Sequence, residues 1–458
     1  MKRLCALILA AGKGTRMVSD RAKVLHAVCG QPMLRMVYDA AACLRPDEIF
    51  VVIGQDADRV RGALGGRAAT FIVQEPQLGT GHALICARDE LKRRKGDVLV
   101  LSGDTPRIKP STLNRLIERH RSTRAVTTIL TTEPPDPFGY GRVVRKSDGS
   151  VLAIVEEKDA TPEQKKIREI NAAMYCFQIP ALIDALARLS SDNAQKEYYL
   201  TDVIGIHSGD GGRIEAVIHN SYEELQGINN RRELAKLSKD LWHEYAGHLM
   251  AGGVTLMDPD QTYIDPQVAI AKDSVIFPHV KLEGATTIGE GCVIRSGVRV
   301  TDSEIAARTE LLDQCVVTDS IIGEGSVIGP CCHIHSETVI GAGCHIGSLV
   351  EVNNSKIGQR TRACHLSYLG NAIIGGDVSI GSGTITCDFD GQRKNVTIVQ
   401  DGATIGSGCQ LIAPVTIGRN ASVAAGSRVA EDVRAGDSDI ARGREPSRRH
   451  RNLRARRK

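Results

Sequence analysis

The first half of the chain alternates short apolar runs with amphipathic segments. Four apolar runs have the length of strands buried on both faces, and they are Cys5–Ala10, Ile49–Ile53, Ala69–Val73 and Val98–Leu101. Between them, segments with helical spacing of apolar residues are Pro32–Leu44, Ala57–Leu64 and Gly81–Leu91. This alternation predicts a doubly wound α/β sheet with parallel strands. Ligands of such sheets bind beyond the carboxyl ends of the strands.

A single helix is predicted next, from Asn230 to Met250, and the glycine pair Gly252-Gly253 ends it. Trp242 is expected to pack this helix, a connecting arm, against a domain.

The pattern then changes to Ile-Gly dipeptides, many of them six or twelve residues apart. They begin at residues 288, 322, 328, 340, 346, 357, 374, 380, 405 and 417.

A six-residue period with one aliphatic residue inside and a glycine at the corner is typical of a parallel β-helix of hexapeptide repeats. The narrow core of such a helix leaves little room for rings. Four aromatic residues lie between Gly253 and Lys458, whereas β-sandwich strands need more. The charged segment Cys387–Asn395 interrupts the period, which predicts a loop that helps to bind a ligand.

The composition indicates which cellular compartment and which kinds of partner to expect. The 13 cysteines form no C-x-x-C pair or zinc spacing, so we expect a reducing cytoplasm rather than disulfides. No apolar run reaches 18 residues, so no membrane span is predicted. The formal net charge is +4, and residues 442–458 contribute +8, so the remainder is net −4. The basic charge is confined to a short tail, and nucleic acid is not an expected partner.

A glycine-rich loop follows the first predicted strand. It runs from Leu9 through Gly12 and Gly14 to Met17, and Arg16 and Lys23 supply positive charge. The spacing fits neither a Walker loop nor a dinucleotide fingerprint. Backbone N–H groups in such a loop can face phosphate oxygens, although a plain turn with a solvated arginine is the alternative.

Two further segments favour a nucleotide site. Asp104 follows the buried run Val98–Leu101, where a carboxylate can hold Mg²⁺ together with substrate phosphates, although a turn aspartate is the alternative. Gln74 precedes Gly79, so an amide that reads a base edge is followed by a residue that permits close backbone approach. His82 is interpreted as the start of a helix.

Together these motifs resemble the family of bifunctional enzymes that acetylate glucosamine-1-phosphate and then uridylylate the product. The resemblance extends nearly end to end through LAAGKGTRM, KVLH, QLGTGHA, GD, GYGR, IVEEKDAT, EYYLTD, INN and HLSYLG. It implies a Rossmann-like nucleotidyltransferase domain at 1–231, a helical linker at 232–252 and a left-handed parallel β-helix at 253–458. It also implies a homotrimer.

The resemblance implies roles for residues of the first domain. Leu9, Ala10, Ala11, Gly12 and Lys23 would hold the phosphates of UTP, and Arg16 and Lys23 would act in catalysis by neutralising their charge. Uracil would be read by Gln74, Gly79 and Thr80. Ser102, Gly103 and Asp104 would lie at the centre, and Asp104 and Asn229 would bind Mg²⁺. N-acetylglucosamine-1-phosphate would contact Gly141, Glu156 and Asn171, after which Ala172-Ala173 replaces the family's Thr-Gly.

For the second domain, the resemblance makes His365 the general base that accepts a proton from the amine of glucosamine-1-phosphate. Tyr368 matches the family, but His335 stands where the family has arginine and Asn353 where it has lysine. Ser379 replaces an asparagine, and Asp388-Phe389 replaces Asn-Tyr in the acetyl-CoA loop. The remaining predicted contacts with acetyl-CoA are Ser382, Ser407, Ala425 and Arg442.

Several functions remain open at this point. The leading hypothesis is a uridylyltransferase with an acetyltransferase whose acceptor site is altered. The alternatives are a uridylyltransferase whose β-helix is a trimerising scaffold or acts on another amine, a glucose-1-phosphate nucleotidyltransferase, and a non-enzymatic exchange subunit of a translation factor. The motifs GTGHA and EYYLTD argue against a glucose-1-phosphate nucleotidyltransferase. The residues Arg16, Lys23 and Asp104 argue against a non-enzymatic exchange subunit.

Overall fold

A computed structural model describes residues 3–12, 14–54 and 56–439. The chain divides into two compact units, the first ending at Ser238 and the second beginning at Lys239. Arg442 and the rest of the basic tail lie outside the described residues. Within the described part of the chain, no helix is long and apolar enough to cross a membrane.

The first unit contains eleven described strands. They are β1 (Leu4–Leu9), β2 (Ala27–Val28), β3 (Gln31–Pro32), β4 (Glu48–Ile53), β5 (Thr70–Val73), β6 (Asp97–Ser102), β7 (Thr127–Thr132), β8 (Arg142–Arg145), β9 (Val151–Val155), β10 (Ile170–Gln178) and β11 (Ile214–Ile218). The α-helices of the chain are α1 (Met33–Ala42), α2 (Ala57–Ala63), α3 (Thr80–Lys92), α4 (Pro110–Thr123), α5 (Ile179–Leu186), α6 (Asp202–Gly209), α7 (Tyr222–Leu225) and α8 (Arg231–Ala251). Short 3₁₀ helices lie at Thr15–Met17, Lys23–Leu25, Gln164–Lys166 and Pro259–Gln261.

The main sheet has the order β11-β7-β10-β6-β1-β4-β5. The four strands predicted from apolar runs, β6, β1, β4 and β5, pair in parallel as expected. Strand β1 buries Ala6 and Ile8 in one core, with side chains of α1 and α4, and Cys5 and Leu7 in another, with side chains of α3 and α5. The sheet is therefore covered by helices on both faces, which confirms the doubly wound prediction.

Strand β10 is an addition that the apolar pattern did not predict. It runs antiparallel to both β6 and β7, and it also pairs with β8, which forms a hairpin with β9. The register of β10 against β7 shifts between Asn171 and Tyr175. Asn171 and Tyr175 therefore lie on either side of this irregularity, and both are paired with β7.

The second unit is a parallel β-helix, as predicted. Its first face consists of Thr255–Leu256, Val275–Ile276, Val293–Ile294, Glu310–Leu311, Val327–Ile328, His345–Ser348, Arg362–His365, Ser379–Ile380, Thr404–Ile405, Ser422–Val423 and Ser438–Asp439. Its second face consists of Tyr263–Ile264, Lys281–Glu283, Arg299–Thr301, Val316–Thr318, His333–His335, Glu351–Asn353, Tyr368–Gly370, Ile385–Cys387, Gln410–Ile412 and Arg428–Val429. Its third face consists of Ala269–Ile270, Thr287–Ile288, Glu304–Ile305, Ile321–Ile322, Val339–Ile340, Lys356–Ile357, Ala372–Ile374, Thr397–Val399 and Val415–Ile417.

Each coil places one aliphatic residue per face inside the β-helix. On the second face, Val317, Ile334, Val352 and Leu369 are fully buried in successive coils. Because alternate residues of a strand point to opposite sides, the residues on either side of these lie outside. The outer positions of the second face are therefore free to carry chemistry without disturbing the core.

The boundary between the two units falls within α8. In the second unit, Trp242 donates its indole N–H to Asp265 Oδ1 over 3.2 Å and stacks edge-on against Tyr263. Tyr245 donates its hydroxyl to the carbonyl of Val268. The end of α8 thus packs on the first coils of the β-helix through the predicted tryptophan.

Candidate active site

The glycine-rich loop leaves the carboxyl end of β1 and folds back over Lys23. Gly14 has φ +57°, and a Cβ atom built on it would lie 2.6 Å from the Lys23 Cβ. Only glycine fits such an approach without strain. Ala10 donates its N–H to Val52 and buries its methyl in the core, so its N–H group is not free to bind phosphate as the resemblance implied. Lys13 lies outside the described residues.

Five of the predicted polar residues converge at the end of β6. Lys23 forms an ion pair with Asp104, and its Nζ also donates to Asn229 Oδ1 over 3.1 Å. Arg16 Nη2 donates to the same Asn229 oxygen over 2.9 Å. Ser102 donates its hydroxyl to Asp104 Oδ1 over 2.6 Å. We call Arg16, Lys23, Asp104 and Asn229 the phosphate cluster.

The charges of the phosphate cluster are fixed by their neighbours. Burial favours the neutral form of Asp104, but the Lys23 charge and hydrogen bonds from Lys23 and Ser102 outweigh it and hold the pKa of Asp104 below its ordinary value. Asp104 is therefore an anion at neutral pH. The Asp104 carboxylate and the amide oxygen of Asn229 both face the Lys23 ammonium group. Carboxylate and amide oxygens are the ligands that Mg²⁺ prefers, so the two residues fit that ion.

The predicted base-reading residues lie together at the start of α3. Gly79 has φ +104°, and a Cβ atom there would lie 2.7 Å from the carbonyl oxygen of Tyr198. Gln74 is buried and donates its amide to the Gly79 carbonyl over 2.9 Å. Its amide nitrogen also lies 3.3 Å from His82 Nδ1, within α3. Gln74 therefore fixes the loop that carries Thr80.

Sequence reasoning missed Gln77 as a site residue. Gln77 lines a cavity of about 360 Å³ together with Gly12, Gln74 and Thr80. Its buried Oε1 has no hydrogen-bond partner among the residues that the structure describes. Because Gln77 lines the cavity and its amide oxygen is unpaired, this side chain is a candidate for recognising a ligand N–H once it turns toward the cavity. The signal was present, because Gln77 begins the QLGTGHA motif.

The predicted sugar residues also come together. Asn171 donates its backbone N–H to the Gly141 carbonyl over 2.9 Å. A Cβ atom on Gly141 would approach Glu156 Oε1 to 3.4 Å, which places that carboxylate beside Gly141. Glu156 and Asn171 line a cavity of about 250 Å³ that also includes Leu9, Gly12, Lys23, Thr80, Ser102 and Asp104. One cavity thus joins the predicted sugar residues to the phosphate cluster.

Two features of the sugar site carry an energetic cost. Burial raises the pKa of Glu156, and the nearby carboxylates of Asp202 and Asp159 raise it further against the hydrogen bond from Thr201. Ala173 has φ +56°, a conformation that glycine adopts more easily. It lines the same cavity, so its methyl group narrows the space for the sugar. Such costs are common at binding sites.

The predicted acetyltransferase residues occupy two parts of the β-helix. His365 is exposed at the end of a first-face strand. Below it, Ser382, Ser407 and Ala425 occupy the same corner in successive coils, because Gly408 donates its N–H to Ser382 and Gly426 donates to Ser407. This column beside His365 suits a long ligand such as acetyl-CoA. Ser379 lies instead on the first face, in register with Arg362 and Thr404.

The predicted acceptor residues share the second face. His335 pairs in register with Asn353, and Asn353 with Gly370. The Tyr368 ring lies across Gly370, since a Cβ atom there would fall 2.5 Å from the tyrosine Cζ. His335 Nε2 lies 3.2 Å from Glu351 Oε1. The acceptor side therefore presents an imidazole beside a carboxylate and a neutral amide.

The two predicted acetyl-CoA residues of the loop Cys387–Asn395 differ in burial. Phe389 is exposed, whereas the Asp388 carboxylate is buried and accepts a hydrogen bond from Asn371. Asp388 therefore holds the loop to the β-helix and does not face outward for acetyl-CoA. Lys394, which sequence reasoning missed, lines a cavity with Asn353 and Asn371, and its Nζ lies 3.7 Å from Asp388 Oδ2.

Three domain families and several known proteins match the chain. Residues 6–197 match the MobA-like NTP transferase domain, residues 260–357 the GMPPB C-terminal domain, and residues 397–431 the bacterial transferase hexapeptide with six repeats. The chain is 45% identical over 438 residues, 95% of both chains, to the bifunctional protein GlmU of Trichlorobacter lovleyi. It is 44% identical over 440 residues to that of Streptococcus agalactiae, covering 96% of this chain and 95% of the relative.

A third relative supports the same assignment. The bifunctional protein GlmU of Halalkalibacterium halodurans is 44% identical over 450 residues, or 98% of both chains. The family resemblance inferred from the sequence motifs is thereby confirmed. Identity at this level over almost the whole length shows that the chain belongs to the family of the bifunctional protein GlmU.

Proposed function

We propose that the first unit transfers UMP from UTP to N-acetylglucosamine-1-phosphate, which gives UDP-N-acetylglucosamine and pyrophosphate. The observation that carries this proposal is the phosphate cluster, where two cations meet a carboxylate and an amide. Lys23 and Arg16 line two neighbouring cavities, and Asp104 and the predicted sugar residue Asn171 line both of them. Family membership supports it, as does a nucleotidyltransferase domain over residues 6–197.

The reaction needs positioning more than proton transfer. An ionised oxygen of the sugar-1-phosphate attacks the α-phosphorus of UTP in line, and pyrophosphate leaves from the opposite side. Arg16 and Lys23 would hold the phosphates together and stabilise the charge that develops on them. No general base is required, because the attacking oxygen already lacks a proton at neutral pH.

Asp104 and Asn229 would hold Mg²⁺. When bound, the ion would neutralise phosphate charge where both substrates meet. Ser102, which hydrogen-bonds Asp104 Oδ1, would keep the carboxylate oriented. Breaking the Lys23–Asp104 pair on ion binding would also release Lys23 to contact a phosphate.

Uracil would be recognised by the QLGTGHA loop. The Oε1 atom of Gln77 would accept the imide N–H of the base, while Gln74 holds Gly79 and Thr80 in place. Glu156 and Asn171 would hydrogen-bond the N-acetyl sugar beside Gly141. The amide of Asn171 is already oriented by a 2.7 Å hydrogen bond to the Tyr175 hydroxyl.

We propose that the second unit is an acetyl-CoA-dependent N-acetyltransferase. His365 would accept a proton from the acceptor amine as the amine attacks the thioester carbonyl, and coenzyme A would leave as the thiol. Tyr368 and Asn353 would line the acceptor side. Glucosamine-1-phosphate is the family's acceptor, and we expect it to be acetylated weakly, because His335 and Asn353 replace the two cations that would bind its phosphate.

A second candidate is favoured by the same observation. With a neutral Asn353 and a His335 that already faces Glu351, the acceptor side suits an amine without a phosphate group. In that case the second unit acetylates another amine or serves as a scaffold. Acetylation of glucosamine-1-phosphate with a micromolar KM would exclude this candidate.

The remaining assignments are parts of the same proposal. The domains would be 1–231 and 253–458, with residues 232–252 as the linker, and the β-helices would associate as a homotrimer. The enzyme would act in the cytoplasm, without nucleic acid or a membrane as partner.

One experiment tests the proposed uridylyltransferase directly. Purified protein is mixed with UTP, N-acetylglucosamine-1-phosphate and Mg²⁺, and pyrophosphate release is followed by a coupled assay. We expect turnover that depends on both substrates and stops with EDTA. Pyrophosphate release that does not require the sugar phosphate, or none at all, would contradict the proposal.

A further inference from the structure

The second face of the β-helix carries three metal-ligating side chains that lie outside the machinery proposed for uridylyl transfer. His333 and His335 stand on either side of the buried Ile334 in one strand. Because alternate residues of a strand share a face, both imidazoles lie on the outside. Glu351 is the register partner of His333 in the next coil, so its carboxylate belongs to the same patch.

The three side chains are close enough to share one ion. One ligand atom from each of His333, His335 and Glu351 lies within 4.8 Å of the others. The His333 and His335 rings stack with centroids 4.1 Å apart. Tetrahedral bonds of about 2.0 to 2.2 Å place ligand atoms about 3.3 to 3.6 Å apart. The 3.2 Å between His335 Nε2 and Glu351 Oε1 nearly meets that spacing, and the His333 ligand atom lies within 4.8 Å of both.

The orientation of His335 also suits a ligand. Its Nδ1 lies 2.9 Å from the Ser336 hydroxyl, on the side of the ring away from Glu351. Histidines that bind metals commonly hydrogen-bond through their second nitrogen, which fixes the orientation of the ring. Nε2 is thereby left to face the carboxylate and the space between the three side chains.

We propose that His333, His335 and Glu351 bind one divalent transition metal ion of the Zn²⁺ class, and that its open coordination position takes the phosphate group of the acetyl acceptor. Two imidazoles and a carboxylate select such an ion over Mg²⁺, which prefers oxygen ligands. Three protein ligands leave one tetrahedral position for an exogenous group. The phosphate half of this proposal rests on the proposed acetyltransferase function.

The charge of this face favours a phosphate at the open position. Asn353, in register with His335, is neutral, and Lys394 beyond it lies 3.7 Å from the Asp388 carboxylate. Glu351 adds a negative charge, so the bare patch would repel a sugar phosphate. A divalent ion reverses that sign and supplies two positive charges where the family has an arginine and a lysine.

Cobalt absorption tests the metal half. The full chain, stripped of metal, is titrated with Co²⁺ in excess Mg²⁺, which keeps the Asp104 site filled. We expect the intense visible bands of tetrahedral Co²⁺ at one equivalent, without a thiolate charge-transfer band, and their loss on addition of Zn²⁺. His333→Ala and Glu351→Gln should each weaken binding at least about a hundredfold, because loss of an outer-sphere partner alone costs roughly 10–100-fold.

A matched control and a phosphate titration complete the test. His345→Gln removes a histidine from the first face and should leave Co²⁺ binding unchanged, and thermal unfolding in EDTA checks that each variant folds. Inorganic phosphate should then shift the Co²⁺ bands of the wild-type chain. Unchanged binding by His333→Ala and Glu351→Gln, or a thiolate band, would overturn the metal site, and bands insensitive to phosphate would overturn the phosphate half. Neither readout uses catalysis, so their failure would leave the proposed transferase function standing.

Discussion

The two units of the chain differ in the charged side chains that each would offer to a sugar phosphate. In the first unit, Lys23 and Arg16 converge on Asp104 and Asn229, so fixed charges surround the place where phosphates would bind. On the second face of the β-helix, the corresponding family positions hold His335 and Asn353. The buried aliphatic ladder is intact in both coils, since Ile334 and Val352 are fully buried. Fold is therefore retained by inward residues, while activity depends on a few outward ones.

The largest expected effect is on the first unit. Asp104→Ala should lower Mg²⁺-dependent pyrophosphate release more than tenfold, because metal-borne stabilisation contributes on the order of several kcal/mol. Asp58→Ala is the control, since that carboxylate is 98% exposed and its pair with Arg61 contributes little. Steady-state rates of the two variants are compared. Retention of more than a tenth of wild-type turnover by Asp104→Ala would remove Asp104 from the centre of the account.

The second effect sharpens the contrast between the units. Substituting His335→Arg and Asn353→Lys together should lower KM for glucosamine-1-phosphate by about a hundredfold or more, because each charge-assisted phosphate contact contributes ~1.5–3 kcal/mol if the two act independently. Acetyl transfer is measured with EDTA present, so that bound metal does not contribute. Uridylyl transfer by the same variant should not change. An unaltered KM would show that other residues hold the phosphate.

Base choice is the third test. The first unit should prefer UTP over CTP and ATP at equal concentration, because the Gln77 acceptor is proposed to read the imide N–H of uracil, which cytosine and adenine lack. Gln77→Leu should lower kcat/KM for UTP about tenfold, since one hydrogen bond contributes ~0.5–1.5 kcal/mol. Equal rates with ATP and UTP would refute the assignment of this cavity to uracil.

A smaller, pH-dependent effect is expected at Glu156. Its pKa is raised by burial, so the folded chain favours the protonated form, and the stability that this contributes is present at low pH and lost as pH rises through the raised pKa. Glu156→Gln should therefore unfold at higher urea than wild type at pH 8, with little difference at pH 4. Glu163→Gln, at an 80% exposed carboxylate, should show no such pH dependence. A Glu156 effect that is independent of pH would contradict this explanation.

The smallest effect concerns Ala173. Relief of its φ +56° strain, which costs about 1–2 kcal/mol, is partly offset by the greater freedom of glycine in the unfolded chain. Ala173→Gly should therefore stabilise the first unit by about 0.5–1 kcal/mol in urea unfolding. Ala172→Gly is the control and should destabilise, because Ala172 packs in the core. Destabilisation by Ala173→Gly would show that its methyl packs favourably.

The sequence was most informative where the period was regular. The four parallel strands and the helices α1 to α3 were predicted within one or two residues, and the hexapeptide β-helix was predicted as an architecture, because buried aliphatic residues set their spacing. The antiparallel β10 was not predicted. Its run of Ala172, Met174 and Cys176 carries no strand direction, and direction is set by contacts with β6 and β7 that are distant in the chain.

The candidate sites were predictable only in part. Motifs indicated Lys23, Asp104 and Asn229, but not that Lys23 contacts both of the others, since 206 residues separate Lys23 from Asn229. The inward carboxylate of Asp388 was also missed, because its partner Asn371 lies one coil away and local sequence does not show it. The cluster of His333, His335 and Glu351 was not predicted either, because its members come from two successive coils.

The central claim is that this chain keeps the nucleotide reaction of its family and has altered the acetyl acceptor site. The most direct measurement runs two assays on one preparation: pyrophosphate release from UTP with N-acetylglucosamine-1-phosphate and Mg²⁺, and coenzyme A release from acetyl-CoA with glucosamine-1-phosphate in EDTA, which removes any metal bound by His333, His335 and Glu351. We predict efficient turnover in the first assay, and in the second a strongly raised KM or no activity. A micromolar KM for glucosamine-1-phosphate in the second assay would contradict the account.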